Sequence, residues 1–195
     1  MKIVNKIVSI FLTVFVVIMF VIALSSVITS KTNYGVPRIG PYSVLVVKTD
    51  SMEPTLMTNT GIIIEKVDIA NLKPKSDTYE GDIVTYYRRR DNAIITHRLI
   101  DIQYNESGNI YVFFGDNINA SSCNGVCDAS QKDYISGKYI LGKVVSHSDA
   151  LGHFYLFVTN RITQVFIVII PVGYLIISAI VSKIKEKKEG SEVDE

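Results

Sequence analysis

Thr49-Asp50-Ser51-Met52-Glu53-Pro54-Thr55 closes an apolar run over residues 43–47. Pro54 fixes its own φ and biases Glu53 away from helix. Ser51 therefore lies where a strand stops and the chain turns, and its hydroxyl can point outward from a stiffly held backbone. A serine hydroxyl is a weak nucleophile at neutral pH. It needs a base within hydrogen-bond reach, and that base is usually oriented by a third group. The remaining sequence can be searched for both.

Working outward from this turn, the middle of the chain reads as β. Residues 43–47, 61–67, 82–87, 94–102, 110–114 and 139–145 are rich in Val, Ile, Tyr and Phe, the residues that suit a pleated surface. Turn-prone stretches separate them at residues 58–61, 73–81, 89–92 and 105–109. The last has the composition of a hairpin loop. Residues 29–42 hold Gly35, Pro37, Gly40 and Pro41 and read as an irregular linker. No long amphipathic helix, internal repeat or phosphate-binding glycine loop is legible between residues 29 and 161.

The 195 residues suffice for one modest domain with a core. Formal net charge is +1, so no basic excess points to nucleic acid and no acidic excess to disorder. Residues 7–28 are 22 in a row without a charge, and residues 162–181 are 20. About 20 apolar residues cross a hydrocarbon layer, so each run is long enough. The first could also be a removable signal peptide, with Ala23-Leu24-Ser25 as a small-x-small site. Its length beyond the roughly 7–15 residues of such a region favours a retained anchor. Lys2 and Lys6 precede the first run, and Lys183, Lys185, Lys187 and Lys188 follow the second. The positive-inside rule then puts both termini in the cytoplasm of a multi-pass cell-membrane protein, with the middle segment outside. The expected organisation is an anchor over 1–28, an extracytoplasmic β-rich domain over 29–161, a second transmembrane helix over 162–182 and a charged tail over 183–195. The short linker places Ser51 close to the bilayer surface.

Two residues stand out as partners for Ser51. His97 lies in the strand pattern of 94–102, well before the other histidines, His147 and His153. Asp116 follows Gly115 at the end of 110–114. Neither is distinctive alone. In order, however, Ser51-Met52-Glu53-Pro54, Gly81-Asp82-Ile83-Val84, His97-Arg98, Gly115-Asp116-Asn117 and Gly142-Lys143-Val144 resemble the ordered boxes of the type I signal peptidases, over about residues 44–145. These are membrane-bound serine endopeptidases that remove signal peptides from exported proteins. The commoner nucleophile box has Gly where Asp50 stands here.

That resemblance implies a mainly β fold, a coiled antiparallel β-sheet catalytic domain between two transmembrane helices. The common bacterial form of the family has a lysine base where His97 stands. The endoplasmic-reticulum, archaeal and spore-former form has histidine. No lysine occurs between Lys75 and Lys132, so the resemblance is to the Ser-His-Asp form. It implies Ser51 as nucleophile, His97 as general base and then acid, and Asp116 behind the imidazole. Asp128 is a candidate second aspartate, beyond a stretch that reads as an insertion. The backbone N–H of Ser51 and the hydroxyl of Thr49 are candidate oxyanion donors. Asp82 and Arg98 read as structural. The implied partners are signal-peptide-bearing pre-proteins, cleaved after small residues, and the lipid bilayer.

No cofactor is implied, since serine, imidazole and carboxylate suffice. Cys123 and Cys127 leave three readings open: a local disulfide, two free thiols, or a metal site that lacks further ligands nearby. Asn105-Glu106-Ser107 and Asn119-Ala120-Ser121 match the glycosylation pattern. His147 and His153 read as interfacial. A self-cleaving repressor-type peptidase fits the site but not the two apolar runs. The rival from another class is a catalytically silent, membrane-anchored β-domain that binds partners at the outer surface. It has no need of Ser51 beside His97.

Overall fold

The computed structural model describes residues 2–104, 108–117 and 132–191. Seven strands form one sheet: β1 (Tyr42–Val46), β2 (Gly61–Glu65), β3 (Ile83–Arg88), β4 (Ala93–Gln103), β5 (Ile110–Phe114), β6 (Asp133–Ser136) and β7 (Ile140–Ser148). Their spatial order is β1-β2-β7-β3-β4-β5-β6, and every pairing is antiparallel. Six strands lie where the β-branched and aromatic runs put them. The seventh, β6, is only four residues long and has too little pattern to be read in advance. The mainly β, antiparallel domain is therefore as expected.

Residues 26–156 form a compact unit that contains the sheet. It has two packed clusters. One gathers Val47, Met52, Leu56, Ile62, Ile64 and Leu141. The other gathers Leu72, Val84, Tyr86, Leu99, Tyr111, Phe113 and Ile135. The alternation of each strand builds them. Val84 faces His97 and Tyr86 faces Ile95 across the β3–β4 pair, so all four side chains share one face. Arg98 falls on the other.

The described residues of 1–25 and 157–195 form a second, helical unit. Helix α1 spans Lys2–Thr32, and α3 spans Arg161–Ser191 with Pro171 inside it. Among the described residues, Arg161–Ile184 alone is long and apolar enough to cross a membrane, by length and composition, while Lys6–Val21 is a shorter apolar stretch. The lysine-rich run after Ser182 stays helical to Ser191, as Lys and Glu are good helix formers.

Helix α2 (Asp149–Thr159) is a short helix within residues 29–161, where no long amphipathic one was expected. It is anchored at its start. Thr60 donates its hydroxyl to the Asp149 carboxylate. Gly152 packs so closely on Gly61 that a Cβ on Gly61 would stand 2.4 Å from the Gly152 nitrogen. A short helix held by a glycine contact leaves little periodicity to read.

Candidate active site

The nucleophile turn is a single right-handed 3-10 turn, Asp50–Met52, entered through extended Thr49. Asp50 therefore needs no left-handed conformation, and the position tolerates a residue other than glycine. The Glu53–Pro54 peptide is cis. Met52 and Leu56, each 1% exposed, sink into the first cluster. Burial of such side chains is worth about 1.5–3 kcal/mol each, which pins the turn from below. From the side, Asn117 clamps it twice. Its backbone N–H donates to the Ser51 carbonyl at 3.0 Å, and its amide Nδ2 donates to the Asp50 carbonyl at 3.0 Å. Gly115 lies against the Ser51 carbonyl.

His97 reaches this turn from β4. Its Nε2 lies 3.2 Å from the Ser51 Oγ. On the far side of the ring, Nδ1 lies 3.3 Å from the Tyr86 hydroxyl and 3.8 Å from the Asp133 carboxylate. Tyr86 donates its one hydroxyl proton to Asp133 at 2.5 Å. An ionised carboxylate can only accept, so the tyrosine oxygen is left to accept from His97 Nδ1–H. That assigns the neutral ring its proton on Nδ1 and leaves the Nε2 lone pair facing Ser51. Burial drives the His97 pKa down to about 4. Arg88 pushes the same way, while Asp133 and Asp116 oppose it. The imidazole is thus neutral near pH 7. Arg88 at 2.9 Å and Arg90 at 3.3 Å hold Asp133, which is itself 3% exposed.

Asp116, expected to face the second ring nitrogen, lies against Arg98 instead. The guanidinium donates to its two oxygens at 2.7 and 2.6 Å. Such a fork takes both carboxylate oxygens at once. Burial works against ionisation of Asp116, but the hydrogen bonds from Arg98 and Thr55 outweigh it, and its pKa sits below the ordinary carboxylate value. Arg98 also donates to the Gly81 carbonyl at 3.0 Å. The Thr49 hydroxyl lies 3.2 Å from Ser51 Oγ. Asp82 is buried, with Lys143 Nζ at 2.6 Å and the Tyr79 hydroxyl at 2.6 Å.

Asp128, Cys123, Cys127 and both glycosylation patterns lie outside the described residues. His147 stands in β7 opposite Ile62. His153 donates from Nδ1 to the Asp149 carbonyl at 2.8 Å. Sequence reading missed Tyr86 and Asp133. Tyr86 had a signal: two residues past Val84 in a predicted strand, it had to share a face with one set of β4 side chains. Asp133 had none, because nothing announced β6.

No protein-family model matches the chain. It is similar to signal peptidase I W of Bacillus subtilis (strain 168), 27% identical over 132 residues. The match covers 68% of this chain and 66% of that relative's length.

Proposed function

We propose that this protein is a membrane-bound serine endopeptidase that removes signal peptides from exported pre-proteins. The observation that carries the reading is the 3.2 Å approach of His97 Nε2 to Ser51 Oγ, with the ring nitrogen behind it tied to Tyr86 and Asp133. Similarity to signal peptidase I W supports the choice of substrate, as does the order of the boxes around Ser51, His97 and Asp116. A silent binding domain would have no use for this pairing.

In the proposed reaction Ser51 Oγ attacks the scissile carbonyl while His97 Nε2 takes its proton. The negative charge that develops on the carbonyl oxygen is met by the Ser51 backbone N–H and the Thr49 hydroxyl. The imidazolium then hands its proton to the leaving amine, and the acyl-enzyme is released by water activated at the same nitrogen. The third place is filled by Asp133 acting through Tyr86, which holds the tautomer and steadies the imidazolium. Asp116 acts one step back. It fixes Arg98 and Thr55 beside the turn, and its charge favours the protonated ring. The precursor carries small residues at the first and third positions before the cut.

The apolar stretch of α1 and the span in α3 are proposed to anchor the chain in the cell membrane, with the sheet outside and both termini in the cytoplasm. No nucleic acid, metal or organic cofactor enters the scheme. The test is incubation of the full chain in liposomes with a secretory precursor, read by mass spectrometry. Release of a mature product by the wild type and not by Ser51→Ala is expected. Equal cleavage by both, or none by either, would overturn the proposal.

A further inference from the structure

A cavity of about 480 Å³ opens where α1 ends. Thr29 and Thr32, from the last turns of that helix, form one wall, and Arg38, Lys66, Lys138 and Leu141 contribute to the others. Among the described residues that line it there are three cationic side chains and no carboxylate. None of the three makes an ion pair with a described residue. Elsewhere in the domain, Arg88, Arg98 and Lys143 each hold an aspartate.

Arg38 is the most constrained of the set. One guanidinium nitrogen donates to the Leu141 carbonyl at 2.7 Å, which fixes the planar group. Its Nε–H is buried without a hydrogen-bond partner. An atom so enclosed is out of reach of a ligand, so the donors offered to the cavity are those of the terminal guanidinium nitrogens. A fixed guanidinium with spare donors matches the oxygens of a phosphate group.

The position along the chain narrows the source of that phosphate. Ile28 is the last apolar residue of the uncharged run, and Thr29, Ser30 and Lys31 follow it. Helix α1 is continuous across this point. If the apolar run lies in a bilayer, the cavity begins where hydrocarbon gives way to headgroups. Tyr34, which also lines it, is 42% exposed and stacks on Tyr87 at 4.4 Å between ring centroids. Tyrosines are favoured at that level of a membrane.

We infer that this cavity binds the phosphate headgroup of an anionic phospholipid. The inference rests on the proposed membrane placement of α1, but not on any peptidase activity. Recognition is by charge. Each lysine or arginine near an anionic surface contributes about fivefold in affinity, so three without acidic compensation favour a headgroup with net negative charge over a zwitterionic one.

The experiment uses the full chain purified in detergent and mixed with equal amounts of phosphatidylglycerol and phosphatidylcholine. Native mass spectrometry reads which lipid stays bound. Wild type is expected to retain phosphatidylglycerol in preference, and Lys66→Gln/Lys138→Gln to lose that preference at least tenfold. This pair leaves the Arg38 contact with Leu141 intact, and Lys48→Gln/Lys75→Gln, outside the cavity, serves as the control. Equal retention by wild type and the cavity variant would overturn the inference. So would full displacement of the lipid by inorganic phosphate at equal concentration, which would mark a site for the free ion. Flotation with liposomes separates the two claims. A chain that fails to float contradicts the membrane placement, whereas one that floats without preference for phosphatidylglycerol contradicts only the headgroup site.

Discussion

A Cβ on Gly115 would stand 2.5 Å from the Ser51 carbonyl oxygen and 3.3 Å from His97 Nε2. The absent side chain at Gly115 therefore sets how closely the end of β5 approaches the nucleophile turn. The first clash is with backbone, which cannot rotate away. Gly115→Ala is expected to push Ser51 out of line with His97. Misplacement by about 1 Å can cost on the order of 100-fold in rate. We predict a fall of that size in kcat with folding retained, checked by precursor cleavage beside thermal melting. Wild-type kcat in a stably folded Gly115→Ala variant would show that the approach is not needed.

Asp133 and Asp116 should separate in their effects. Asp133→Asn removes the charge behind Tyr86, and Tyr86→Phe removes the hydroxyl that accepts from His97. Each is predicted to lower kcat about 10- to 100-fold with KM little changed, because the ring loses its preferred tautomer. Asp116→Asn should weaken the Arg98 pairing, lower the melting temperature, and cost less in kcat than Asp133→Asn. The reverse ranking would return Asp116 to the place behind the imidazole.

The pH dependence follows from the depressed pKa of His97. The base works only when neutral. Its pKa of about 4, lowered mainly by burial, puts the acid limb of kcat/KM below pH 5.5 rather than near 6.5. Asp133 opposes that depression, so Asp133→Asn should move the limb to still lower pH. Stability has the same sign. Between pH 6.5 and about 4 the unfolded chain binds a proton at this residue and the native chain does not. The contribution is complete above 6.5 and is lost as pH falls through that window, by roughly 3 kcal/mol. Denaturant titrations across the window check it, and an acid limb at pH 6.5 to 7 would contradict it.

Much of this was legible in the sequence. Ser51 and His97 were marked by what surrounds them: a proline-bearing turn after an apolar strand, and a histidine in a chain region without lysine. Six strands followed from Val, Ile and aromatic runs. The partner of His97 was not legible, because it depends on which carboxylate the sheet brings round. Arg98, next to His97 in sequence, points to the opposite face and takes Asp116. Asp133 arrives from β6, a four-residue edge strand with no periodicity of its own. Helix α2 was hidden in the same way, fixed by the Gly61–Gly152 contact rather than by an amphipathic repeat.

Lysine distribution predicts the topology. In sealed right-side-out vesicles, added protease should cut within residues 29–161 and spare a tag placed after Glu195. Protection of the sheet domain from outside would invert the placement.

The central claim is that Ser51 and His97 act as one unit on a peptide bond. The most direct measurement is the precursor cleavage rate of Ser51→Ala, His97→Ala and the double variant, each shown to be folded. If the two side chains form a nucleophile and its base, either single change brings the rate to the same residual level and the double change lowers it no further. Substantial activity in either single variant, or losses that multiply in the double, would contradict the claim.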